Sequence, residues 1–200
     1  MAVVSIKNKL RRGNLLVGNT AFDPAAMDSI ATVTVGSGGA ANVEFTSIPS
    51  TYTHLQIRGI LRDSRATYGN GSGFIEFNSD TAANYSWHQL LGDGSNPIAY
   101  SGANASYMQY SGGAGDGAPA NTFGVMIIDI LDYANTNKYK TIRTLDGVDI
   151  NGTVAGYGGI AELASGSWRS TSAITSIKIR PNSPNYKQYT SFALYGIKSA

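Results

Sequence analysis

The chain holds only two histidines, His54 and His88, so any chemistry that needs an imidazole must run through one of them. Imidazoles from separate strands bind zinc when a carboxylate joins them in space. Isolated strand histidines more often serve as hydrogen-bonded surface residues, and no metal is expected. A serine nucleophile would need a base beside it, and no G-x-S-x-G elbow stands between a strand and a helix. Among the carboxylates, Asp129 and Asp132 flank the end of one apolar run, while Glu76 and Glu162 stand alone on others. Glycoside hydrolysis asks for two carboxyl groups at a set separation. Here the acids read as turn residues and solvated faces, so no catalytic residue is expected and the protein is read as a non-enzyme.

Two loops imitate ligand sites. In "TVTVGSGGAANVEFTSIP", Thr32 to Pro49, the residues Gly36, Gly38 and Ala41 have the spacing of a dinucleotide fingerprint, and Asp63 comes about where a ribose-binding acid would stand. A phosphate loop needs a helix to begin at the glycines. The run after these glycines instead has period two, with Val43 and Phe45 apolar between Asn42, Glu44 and Thr46. The glycines are therefore expected to close a hairpin, and no cofactor is expected. In "LDGVDING", Leu145 to Gly152, the side chains of Asp146, Asp149 and Asn151 offer oxygens to a hard cation. The spacing is not that of an EF-hand and no closing glutamate is present, so a β-turn between strands is expected.

Binding is the remaining chemistry. Tyr85, Trp87, Tyr100, Tyr107 and Tyr110 cluster mid-chain. Exposed in one groove they would stack on a host-surface glycan; otherwise they pack between sheets or in a subunit interface. Near the start, Lys7, Lys9, Arg11 and Arg12 precede any acidic residue, and Leu15, Leu16, Val17 and Phe22 come next with no sustained period. Residues 1–29 read as an extended arm, with one short helical turn after Pro24, whose apolar side chains need a partner to cover them.

The elements that must position these groups are strands. From Ile30 to the end, residues 30–200, short alternating runs recur between turn residues: "HLQIRGIL", "GFIEFN", "YSWHQLL", "SYMQY", "KYKTIRTLDGVDI" and "GIAELA". "TFGVMIIDIL" is almost continuously apolar and predicts a central strand buried on both sides. "SGGAGDGAPAN" predicts the most flexible loop. "AITSIKIRP" and "YTSFALYGI" predict a final strand pair, with Ile174, Ile177, Ile179, Phe192, Leu194 and Ile197 in the core. About ten short strands and no sustained helical period predict an all-β, two-sheet jelly-roll-like sandwich.

Composition agrees. Only 14% of the 200 residues are charged, 42% are hydrophobic, and the net charge of +2 is too small to argue for nucleic acid. There is no cysteine, so disulfides and thiolate metal sites are excluded. No apolar run approaches membrane-spanning length, and the start carries no signal-peptide core, so no membrane insertion is expected.

The opening "IATVTVGSGGAANVEFTSIPSTYTHLQIRGIL" and the closing "SAITSIKIRPNSPNYKQYTSFALYGIK" resemble a family of tailed-bacteriophage virion proteins, and "SIKNKLRRGNLLVGNTAFDPAA" is similar to arms seen in them. The resemblance implies a jelly-roll component of the particle, such as a capsid decoration (cement) protein, head fibre or tail appendage. It implies no catalytic residue, a homo-oligomer with a trimer first, capsid or tail proteins as partners, and a location in the virion after synthesis in the host cytoplasm. A carbohydrate-binding module of a tail fibre is the alternative, and a glycan hydrolase a weaker third.

Overall fold

A computed structural model describes residues 15–17, 20–22, 27–67, 71–152 and 158–198. Among them there is no helix. Side chains that are β-branched or aromatic on alternate positions set this outcome, because each run can bury one face of a pleated strand but no helical stripe.

The described residues form fourteen strands in three sheets. Strand β1 (Leu15–Val17) pairs with β2 (Thr20–Phe22) as a small antiparallel ribbon. The segment expected to be irregular therefore contains strands. The body starts with β3 (Met27–Thr34), ahead of the expected boundary at Ile30. It continues through β4 (Val43–Phe45), β5 (His54–Leu61), β6 (Gly71–Phe77), β7 (Tyr85–Gly92) and β8 (Pro97–Ala105). The remainder is β9 (Met108–Gly113), β10 (Gly124–Leu131), β11 (Lys140–Asp149), β12 (Gly159–Trp168), β13 (Ile177–Pro181) and β14 (Ser191–Ile197).

The larger sheet has the order β3-β14-β5-β10-β11-β12-β7-β8, and the smaller β4-β13-β6-β9. Every strand pairing is antiparallel. Setting β7, β8, β11 and β12 aside leaves β3-β14-β5-β10 facing β4-β13-β6-β9. The chain then changes sheet at every step except β6 to β9, and that is jelly-roll order. The two extra pairs of strands are insertions, one between β6 and β9 and one between β10 and β13, and both widen the same sheet.

This topology corrects two expected hairpins. The Gly36–Ala41 loop joins β3 to β4, but β3 pairs with β14 and β4 with β13. Likewise β13 and β14 lie in different sheets. In both cases the two runs bury their apolar faces against one core from opposite sides, which a hairpin within one sheet could not do. Val35, Val43, Phe45, Ile177, Ile179, Phe192 and Leu194 meet there, all buried. Ile197 does not, because buried positions in β14 are 192, 194 and 196, and the period of two sends 197 outward.

Glycine at 59 is a packing requirement. A β-carbon on Gly59 would lie 2.6 Å from the Phe192 ring and 3.0 Å from Met126, both in the core. Gly59→Ala is expected to lower stability by about 1–3 kcal/mol through overpacking. Urea denaturation checks this; an unchanged midpoint would show that the ring has room to move.

Candidate functional site

The two histidines lie far apart. His54 starts β5 and His88 lies in β7, with β10, β11 and β12 between them. Four strand spacings separate the two strands by about 19 Å, too far for one metal ion to bridge within a molecule. His54 Nδ1 accepts a hydrogen bond from the Asp132 backbone N–H at 3.0 Å. The Asp132 carboxylate takes an ammonium hydrogen bond from Lys138 at 2.5 Å, which holds its pKa below the usual carboxylate range. Asp129 is occupied separately, by Gln56 at 2.8 Å and Arg143 at 2.6 Å. Glu76 pairs with Arg180 at 2.9 Å. These acids stabilise strand ends and faces.

The Asp63 carboxylate is paired with Arg65 at 2.9 Å, and no helix follows the glycines. The β-turn expected over Leu145–Gly152 begins later than predicted. Leu145 to Asp149 still belong to β11, and the chain turns at Asn151, where φ is +56°. Asp146 therefore points into the interior.

There it meets Glu162, an acid that stands alone in the sequence. Asp146 and Glu162 are register partners on β11 and β12, and both are almost fully buried. Ser111 donates its backbone N–H to Asp146 Oδ2 at 3.0 Å, and Gln89 donates to Glu162 Oε1 at 2.7 Å. Asp146 Oδ1 and Glu162 Oε2 receive no hydrogen bond. Among the described residues neither carboxyl has an ion-pair partner. Burial, then the neighbouring Glu162 charge, pushes the Asp146 pKa up to about 8, and burial also raises that of Glu162. Protonation of one of the two carboxyls removes the repulsion between them. The pair lies between the sheets, where no sugar chain reaches.

The aromatic cluster does not form a groove. Tyr85, Trp87 and Tyr110 are core residues, and Tyr110 shares a hydroxyl hydrogen bond of 2.5 Å with Tyr186. Tyr107, just before β9, packs its ring at 44° to that of Phe74 on β6, with centroids 4.0 Å apart. Tyr100 is exposed, but as the register partner of the buried Gln89 it lies on the inward phase, at the far edge of the larger sheet. Three of the five glycan candidates are thus buried, and of the other two Tyr100 lies on the larger sheet while Tyr107 packs against Phe74 of the smaller one. Of the arm candidates, Lys7, Lys9, Arg11 and Arg12 lie outside the described residues. For Leu15, Leu16, Val17 and Phe22 the backbone alone is described, in β1 and β2.

Sequence patterns do not disclose the outer face of the larger sheet. Registers align its side chains in rows across six strands. One row runs Ile60, Val125, Gly147, Ala161, Gly92, Pro97. The next runs Arg58, Ile127, Leu145, Leu163, Leu90, Ala99. The third is polar: Gln56, Asp129, Arg143, Ser165, His88 and Ser101. Ile60, Val125, Leu145, Leu163 and Leu90 are 50–59% exposed. A shallow depression of about 510 Å³ crosses the border of the second and third rows, lined by His88, Leu90, Ala99, Arg143, Leu163 and Ser165 among others. The strand expected to be buried on both sides, β10, is one-sided here: Met126, Ile128 and Ile130 are buried while Val125 and Leu131 are open. No layer of described residues covers that face. No group of His, Cys, Asp or Glu side chains that could hold a metal ion occurs among the described residues.

Compared with protein-family models, curated proteins and solved structures, the chain matches none of them.

Proposed function

We propose that this protein is a non-enzymatic structural component of a tailed-phage virion, a jelly-roll body on the particle surface held through its N-terminal arm. One observation carries the reading. The two stretches that resemble virion proteins, residues 30–61 and 172–198, come from opposite ends of the body yet fold into one unit. Strand β14 pairs with both β3 and β5, and β13 pairs with β4. They supply five of the eight strands in jelly-roll order, and the inserted strands come from the middle of the chain. The occupied and buried acids support a role in contact over one in catalysis.

The test is mass spectrometry of purified particles with copy number measured. Hundreds of copies per particle would fit capsid decoration and about a dozen a tail part; absence from particles would overturn the reading. The arm has its own test. A chain starting at Met27 keeps all of β3 and is expected to show an unchanged β-type circular dichroism spectrum. It is also expected to lose the competition with the full chain for particles lacking the protein. Equal incorporation would remove the anchoring role from residues 1–26.

A further inference from the structure

We infer that the apolar rows on the outer face of the larger sheet bind a second copy of this chain. The inference stands apart from the virion assignment and rests on three features of that face.

The first is its pattern. Strand β10 has the near-continuous apolar sequence of a strand covered on both sides, and β11 and β12 also carry leucine on the outward phase at Leu145 and Leu163. Isolated exposed leucines are ordinary, but these lie directly opposite one another: Ile127 beside Leu145, Leu145 beside Leu163, Leu163 beside Leu90. Adjacent ridges of this kind are what one sheet packs onto another.

The second is size. Six strands at about 4.8 Å spacing make the rows about 24 Å wide. With the polar third row as rim, the face covers about 600 Å², which reaches the lower end of one partner's share in a specific interface. The two apolar rows alone make up about two-thirds of that, about 400 Å², the size of apolar patch that on a monomer is often functional.

The third is charge. A surface that meets itself must not repel itself. Across the six strands the two apolar rows contain one charged residue, Arg58, beside Ile127. In the rim Asp129 and Arg143 pair with each other, leaving no net charge from that pair. A face made for an acidic or basic partner would carry the opposite excess; this one is close to neutral and fits its own image. Closed assemblies of identical subunits are also the commonest way to cover such a patch.

The experiment is sedimentation of the full chain at about 1–100 µM, on the order of the concentrations at which weak assemblies form, beside Leu145→Lys with Leu163→Lys. Both side chains are half exposed, so the double variant is expected to keep its spectrum and melting temperature. The parent chain is expected at a multiple of 21.0 kDa, and the double variant at the monomer mass. Ser172→Lys, an exposed loop substitution away from the face, is expected to sediment as the parent does. A parent chain that is monomeric throughout would overturn the inference and leave the face to a different protein. An oligomer that survives the double substitution would overturn it too, by moving the contact elsewhere.

Discussion

Asp146→Asn is expected to stabilise the protein at pH 9 and to do so far less at pH 5. The reason is the interior pair of Asp146 and Glu162, opposite each other with one free oxygen apiece. Folding raises the Asp146 pKa from 3.8 to about 8. Between those values the folded protein keeps a proton that the unfolded chain releases, so more protons are bound in the folded state. Stability must then fall as pH rises across that window and level off above it. Glu162 is displaced in the same direction and reinforces the slope. The other titratable group electrostatically coupled to Asp146 is Tyr110, whose own pKa is pushed up by burial, so it stays neutral in this range. An asparagine keeps an acceptor for the Ser111 N–H and brings a donor toward Glu162. At about 1.4 kcal/mol per pKa unit the ceiling is about 6 kcal/mol, and relaxation of the site should leave about 3. For a chain of this size that is a rise of about 6–12 °C in melting temperature at pH 9. Calorimetry from pH 5 to 9 measures both slopes. A parent protein whose melting temperature is flat over that range, or an asparagine variant less stable at pH 9, would show that the two carboxyls are solvated or paired.

Much of this fold is legible in period-two alternation, because burial of one strand face needs nothing beyond the strand itself. Leu55, Ile57 and Leu61 on β5 are an example: alternation predicts them on one face, and all three are buried there. Strand partners are a different matter. Nothing local tells Val43 and Phe45 whether their run returns beside β3 or crosses to the other sheet, because both placements bury the same side chains. The expected glycine hairpin fails on that ambiguity. Strand β8 escapes a sequence reading because Pro97–Ala105 lies at an edge, exposed on most positions and without an alternating pattern. Asp146 is hidden by its neighbours: an Asp-Gly within a polar run looks like a turn, and only the pairing of β11 with β12 brings Glu162 opposite it. The outer apolar face has one visible signal, the double-sided apolar phase of β10, and a two-sided reading of that strand conceals its open side.

Arg62 has no motif around it, yet its loss should be among the most damaging single changes in this chain. Glycine content predicts that the loop at residues 111–121 is the most flexible, but one guanidinium gathers three of its carbonyls and that of the next residue. Arg62 Nη1 donates to Pro119 O and Thr122 O, each at 2.9 Å, and Nη2 to Ala118 O at 2.9 Å and Asp116 O at 3.4 Å. The backbone of Arg62 is held in turn by Thr190, whose hydroxyl accepts from its N–H and donates to its carbonyl. The loop thus closes onto the sandwich through a nearly buried cation whose hydrogen-bond partners are main-chain oxygens, with the Asp116 carboxylate 3.9 Å from Nε, and glycine-rich sequence alone gives no hint of it. Arg62→Ala removes the guanidinium donors from these carbonyls, of which Pro119 O keeps the Thr122 N–H at 3.2 Å, and is expected to cost about 3–5 kcal/mol, the range for breaking a buried charged network. Arg62→Lys keeps the charge but replaces a planar fork with a point donor, which cannot span oxygens on both sides, and should recover less than half of the loss. Urea denaturation measures the cost, and amide exchange at residues 114–122 identifies its origin. Exchange there should accelerate in both variants well before global unfolding, because this side chain holds four of the carbonyls while Lys187 adds only one exposed ion pair, to Asp116 at 3.0 Å. Protection of that loop unchanged in Arg62→Ala would mean that its other contacts hold it without the cation: Asp116 N–H to Arg65 O at 2.6 Å, Gly117 N–H to Thr67 O at 3.3 Å, Asp63 N–H to Ala114 O at 2.8 Å, and Lys187 to Asp116 at 3.0 Å.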